Sequence, residues 1–341
     1  MNKILSTIIG IIFFGSIASA QLTEFSQGDI LSAGAMNQNF KHLQDHFFWN
    51  KKEVDCSTDN LTGTINNGYN HIVINGNCSI KSLSTGGWDF TKYCNEDTDH
   101  KPLFRIKITG KTGISSDSIT IGNLGQCGNI FGSFGGLMHL ENIKIITNAV
   151  NVNDGGSMRI DNSSIYALDS KNNKISAQKN ALLIMENSSA VHEIQIHNGS
   201  VGEFQHSTTS KNLFADYGST FTTDNMSMLN IYIGNNSTAK INNSTINCSA
   251  NDETCVNVER ASSVFFSSST ITGGANYDAI KIGPTSQVNL YQSTVNSTKS
   301  SSIKVDGPLS YLEVYSSTIN GTVSCGNIES HAFKTGTDLC N

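Results

Sequence analysis

Four short phrases recur at almost constant spacing: NSTI at 243–246, SSTI at 268–271, QSTV at 292–295 and SSTI at 316–319. Aligned on these phrases, residues 261–284 and 285–308 are each 24 residues long and each end in Gly-Pro, and 236–260 is 25 long. A repeat of this length is the mark of a solenoid, in which each unit buries its apolar face only against its neighbours.

The strand type follows from the period inside each unit. One unit holds V-x-F, then S-T-I, then A-I-x-I; in the next the same slots are Val288, Leu290, Val295, Ile303 and Val305, and in the third Leu312, Val314 and Ile319. Alternation of period two means strands with one buried face; a helical period would not keep these residues in register. Three short strands per turn, stacked in parallel, make a β-helix. Ser244, Ser269, Ser293 and Ser317 then form one ladder, inward or at a corner.

Coil length and the three-strand pattern resemble the right-handed parallel β-helix of pectate-lyase-like proteins over residues 70–340. The left-handed form with 18-residue coils is excluded by the longer period. The expected fold is all-β, a solenoid of about nine to ten coils and about 45 Å. Upstream the spacing loosens. First-strand slots beginning at Met138, Met158, Ile194 and Phe221 give intervals of 20, 36 and 27, then 18, 25, 24 and 24. Insertions are therefore expected near 85–102, 166–179 and 203–212, within a β-helix domain spanning 51–341.

The N-terminal fifty residues differ in kind. Lys3, the apolar run Ile4–Ile17 and Ala18-Ser19-Ala20 read as a signal peptide over 1–20, which places the mature chain outside the cytoplasm. A secreted or cell-surface location by bacterial export is expected, with the periplasm as the other destination. No later stretch is apolar and long enough to span a bilayer. Within 21–50, Ala33, Met36, Phe40, Leu43 and Phe47 follow an a/d spacing with Ser32 as N-cap, giving a short α-helix. The run A-x-x-M-N-x-N-F-x-x-L resembles the stem of bacterial and phage trimeric fibre proteins, which implies a homotrimer. The other reading is a cap over the open end of the β-helix.

Eight cysteines, at 56, 78, 94, 127, 248, 255, 325 and 340, in an exported chain point to disulfides. Cys248–Cys255 and Cys325–Cys340 are near enough to pair locally, and Cys56–Cys78 with Cys94–Cys127 completes one of several possible sets. No C-x-x-C occurs, so no metal or other cofactor is expected. Only 15% of residues are charged and the net charge is −6, which argues against a nucleic-acid partner.

Candidate sites lie on outward columns, whose members sit about 4.8 Å apart on successive coils. One column reads Glu141, Asp161, His197, Asp224, Asn242, Ser267, Tyr291, Tyr315. Its first four members would supply the acids and a water-orienting imidazole of a polysaccharide hydrolase or lyase, with Asp161 and Asp224 two coils apart. Tyr291 over Tyr315, with Phe265 diagonal, offers aromatic faces to sugar rings. Trp88, Phe90 and Tyr93 sit beside acids in the 88–102 loop and make a second candidate for ligand binding. The favoured expectation is a secreted, non-enzymatic, adhesin-like fibre whose β-helix recognises surface glycans. The alternative is a pectate-lyase-like polysaccharide lyase or glycoside hydrolase.

Overall fold

The computed structural model describes residues 49–86, 103–122, 131–168, 173–250, 253–327 and 329–340. The signal segment and the stem positions Ala33, Met36, Phe40, Leu43 and Phe47 lie outside these residues. From Lys51 onward the chain forms one compact unit, a parallel β-helix.

Its first sheet has fourteen strands; setting aside Lys51–Asp55 at one end and the pair His331–Lys334 and Thr337–Asp338 at the other leaves eleven, one per coil. That exceeds the expected nine to ten. First strands beginning at Leu137, Ser157, Leu182, Val201, Thr220, Thr238, Ser263, Gln287 and Tyr311 lie 20, 25, 19, 19, 18, 25, 24 and 24 residues apart. The expected 36- and 27-residue intervals are thus three ordinary coils. Residues 203–212 are no insertion but part of a 19-residue coil with strands Val201–Gln205, Thr208–Thr209 and Leu213–Asp216. Ile194 and Ile196 belong to the third strand of their coil, Glu193–His197, rather than to a first strand.

The second and third strands of each coil build two further stacks. At the C-terminal end the 12-residue strand Thr294–Val305 pairs with both, joining them into a single sheet. Inward Ile, Val, Leu, Met and Phe side chains form one continuous core from Val54 to Ala332. At its N-terminal end the helix Leu61–Asn66 turns Leu61 and Ile65 into that core, with the Asn60 side chain accepting from the Gly63 N–H at 3.1 Å. At the other end Thr337–Asp338 folds back antiparallel on His331–Lys334.

The corners explain the composition. Between first and second strands one residue takes a left-handed conformation, with φ of 43–53° at Asn142, Asn162, Asn187, Asn225 and Asn243. Asparagine tolerates that region better than other non-glycine residues. The next residue is a buried serine after Asn162, Asn187 and Asn243, and Ile143 or Met226 after Asn142 and Asn225. The serine Oγ donates to the carbonyl two residues earlier and accepts the backbone N–H of the coil before: Ser244 N to Ser269 Oγ at 3.1 Å, Ser269 N to Ser293 Oγ at 3.1 Å, Ser293 N to Ser317 Oγ at 2.9 Å. The expected serine ladder is therefore real, and it extends through Ser163, Ser188 and Ser207. A second ladder runs before the first strands, through Ser219, Ser237, Ser262 and Ser286. The recurring Gly-Pro is a contact between coils: a Cβ on Gly307 would sit 2.6 Å from the Pro284 nitrogen.

Three of the four disulfide pairs in the expected set are described: Cys56–Cys78, Cys248–Cys255 and Cys325–Cys340. Cys94 and Cys127 lie outside the described residues. No helix among the described residues is long and apolar enough to cross a membrane.

Candidate functional site

The outward face of the first sheet holds most of the expected site residues. Each five-residue strand turns its second and fourth side chains inward and leaves the first, third and fifth outside. The fifth-position column reads Thr109, Glu141, Asp161, Glu186, Gln205, Asp224, Asn242, Ser267, Tyr291, Tyr315. His197 is absent from it. Its strand belongs to the third stack, where it pairs with Asp216; burial lowers the imidazole pKa, and Asp216 acts in the other direction. Glu186 and Gln205 separate Asp161 from Asp224 by three coils, about 14 Å, beyond the roughly 6.5–9.5 Å of an inverting carboxylate pair. The expected four-residue catalytic set is therefore not assembled.

What stands there is a charge lattice. The third-position column supplies Lys107, His139 and Arg159, and each reaches the acid of the following coil. Lys107 Nζ lies 2.8 Å from Glu141, His139 Nε2 2.8 Å from Asp161 Oδ2, and Arg159 Nη2 2.6 Å from Glu186. Arg159 Nε also bonds Asp161 at 2.7 Å. The hydrogen bond from Lys107 holds the Glu141 carboxyl below its usual range. Burial, then Lys107, lowers the His71 imidazole at the edge of the lattice. Asp161 thus joins a histidine to an arginine, an arrangement invisible until strand register is known.

The C-terminal coils present a different surface on the same columns. Tyr291 and Tyr315 stack with ring centroids 5.4 Å apart and planes 3° from parallel. They are 36% and 52% exposed. Ser267, the register neighbour of Tyr291 on its other side, is too small to cover that ring face. Phe265 lies one outward position away on the strand of Ser267, 37% exposed. The last strands add Tyr311 against Phe333 at 6.1 Å and His331 against Phe333 at 6.3 Å. These three were not expected, although Tyr311 stands at an outward alternate position in YLEVY. Trp88, Phe90 and Tyr93 lie outside the described residues.

Among the described residues no cluster of three His, Cys, Asp or Glu side chains could hold a metal ion. Compared with known protein families, with curated proteins and with solved structures, the chain matches none.

Proposed function

We propose that this is an exported glycan-binding protein, adhesin-like in organisation, whose first-sheet aromatic face is the contact surface. The observation that carries the reading is the parallel Tyr291–Tyr315 stack, solvent-exposed and ending on an uncovered ring face above Ser267. A sugar ring presents C–H groups on its faces and hydroxyls on its rim. An aromatic shelf beside Ser267 and Asn242 offers partners for both. The disulfides are compatible with an oxidising, extracellular setting. Because Leu61 and Ile65 already cover the N-terminal end of the core, residues 25–49 are not needed as a cap. This supports their reading as an oligomerising stem, which would multiply weak sugar contacts by avidity.

The test is a glycan array on the full secreted chain, followed by titration of the best hit against Tyr291→Ala and Tyr315→Ala. Each substitution should weaken binding about tenfold or more, roughly 1.4 kcal/mol, without altering the fold. Unchanged binding in both variants would remove the aromatic face from the reading. Light scattering of residues 21–341 and 51–341 tests the stem: a trimer that falls to monomer supports it. The His139–Asp161 pair favours one second reading, a polysaccharide-cleaving enzyme, which turnover of acidic polysaccharides lost in His139→Ala would establish.

A further inference from the structure

The repeated phrase S-T-[IV] divides its two hydroxyls between opposite sides of the sheet. Serine turns in and is hydrogen-bonded to the neighbouring coil. Threonine turns out. Thr245, Thr270, Thr294 and Thr318 stand in direct register on four successive coils of the second stack. Among the described residues none of their hydroxyls bonds to another protein group. Two positions on, Asn247, Thr272, Asn296 and Asn320 form a parallel rank. The mesh is about 4.8 Å along the coil axis and about 6.8 Å across it. None of the twelve residues of these four segments, 245–247, 270–272, 294–296 and 318–320, is charged or aromatic.

Repetition of the whole coil does not account for this regularity. In the same four coils, the middle outward position of the first sheet reads Lys240, Phe265, Asn289, Glu313, and that of the third stack reads Asn257, Lys281, Lys304, Ser324. Those faces have diverged while the threonine rank has stayed constant. Strand preference alone would accept valine or isoleucine at these places equally well. A ligand that reads the same side chain on every coil must itself repeat at the coil spacing in two dimensions. Single glycans do not; a crystalline surface does. The face offers rows of methyl and hydroxyl groups on a rigid sheet, without charges that would orient hydration water around themselves. It also lacks the aromatic shelf on which sugar rings stack.

We propose that this threonine–asparagine face binds the surface of ice, its threonine hydroxyls holding water in lattice positions while the threonine methyls fill the gaps between them; the amide rank beside them is fixed by Asn320 Nδ2 donating to Asn296 Oδ1 at 2.6 Å and Ser249 donating to Asn247 Oδ1. The face is separate from the aromatic surface, so the two activities are independently separable.

The experiment measures freezing-point hysteresis and inhibition of ice recrystallisation by the full chain with its disulfides intact. Thr270→Lys with Thr294→Lys places two charges in the rank, and Tyr291→Ala serves as a control on the other face. The expected result is activity in the parent and in Tyr291→Ala. The double variant should need at least about a tenfold higher concentration for the same effect, at unchanged circular dichroism and melting temperature. If the double variant unfolds, Thr270→Val with Thr294→Val, which keeps the shape and removes the hydroxyls, takes its place with the same expectation. A parent without effect on ice, or variants as active as the parent, would overturn the proposal. Retention of the parent on crystalline cellulose or chitin without any effect on ice would overturn it in favour of a solid polysaccharide.

Discussion

Coils two to five and coils eight to eleven share one backbone plan, yet their first-sheet surfaces differ in chemistry. In the former, lysine, histidine and arginine each reach one coil ahead to an acid. In the latter the same columns carry stacked tyrosines, amides, a serine and a phenylalanine, with Lys240 and Glu313 three coils apart rather than paired. The inside of the solenoid and its corners are dictated by packing, by left-handed geometry and by buried hydroxyls. The outward positions answer to none of these, and so they record what each face contacts. The lattice is largely self-satisfied, whereas among the described residues the Tyr291–Tyr315 stack meets no other ring.

Four measurements would break or sharpen that contrast. The largest effect is expected at Asp117, a buried carboxylate in the N-terminal coils that accepts from Gly76 N at 2.9 Å, Gly113 N at 3.0 Å and Thr112 Oγ1 at 3.0 Å. Burial alone would raise its pKa, but these donors together hold it below the usual carboxylate value. Asp117→Ala strands them and should cost about 3 kcal/mol in urea unfolding. Hydrogen exchange should show the loss beginning in coils one to three, and a uniform loss along the rod would contradict local coupling.

Next comes pH. His192 is fully buried, donates from Nε2 to the Thr147 carbonyl at 2.8 Å, and is held by burial below the usual imidazole pKa. The unfolded chain takes up a proton near pH 6.5 while the folded chain does not. The stability contribution is therefore complete above about pH 6.5 and declines as pH falls, by at most about 1.4 kcal/mol per pH unit. Urea midpoints from pH 7.5 to 5.0 should decline accordingly, with His71 and His197 adding to the slope, and His192→Gln should make it shallower. A variant with the parent's slope would move the titration elsewhere.

Arg159→Met leaves Asp161 and Glu186 adjacent without their shared cation. Because the group is half exposed, the cost should be about 1 kcal/mol at low salt and smaller at 1 M salt, where screening weakens the parent lattice too. Equal costs at both salt concentrations would mean that the lattice contributes by packing. The smallest effect belongs to the aromatic side. Tyr315→Ala should lose about 0.5 kcal/mol, independent of salt, because only a cross-strand pair is removed. A much larger loss would make the stack structural and weaken its claim as a contact surface.

The sequence exposed the regular coils because three signals coincide there: a constant period, Gly-Pro at the corner and the S-T phrase. It misled between 165 and 212, where all strands share the same apolar alternation and coil lengths fall to 19. There ALLI at 181–184 resembles a third strand, although Leu182–Glu186 is a first strand. The corners held the missing information. A pair of left-handed residues followed by buried serine precedes a first strand, as in Asn198-Gly199-Ser200, Tyr217-Gly218-Ser219 and Asn235-Asn236-Ser237. A single left-handed residue before serine precedes a second strand at Asn187-Ser188 and His206-Ser207, whereas after Gly-Pro, at Thr285-Ser286 and Leu309-Ser310, it precedes a first strand. Reading those turns would have placed His197 correctly and revealed Glu186. The cross-coil pairing of His139 with Asp161 depends on register and side-chain reach together, which no local pattern encodes.

The fold-back of Thr337–Asp338 has a consequence for the exposed end of the first sheet. A solenoid of identical sheet edges is a template for its own end-to-end polymerisation. Here the terminal strand His331–Lys334 is occupied by Thr337–Asp338, and Cys325–Cys340 clamps that segment in place. The bond thus holds a cover over the outer edge of the last first-sheet strand, while Thr318–Cys325 pairs only with the coil before it. Reduction should loosen that cover and raise hydrogen exchange in His331–Lys334 before the rest of the rod.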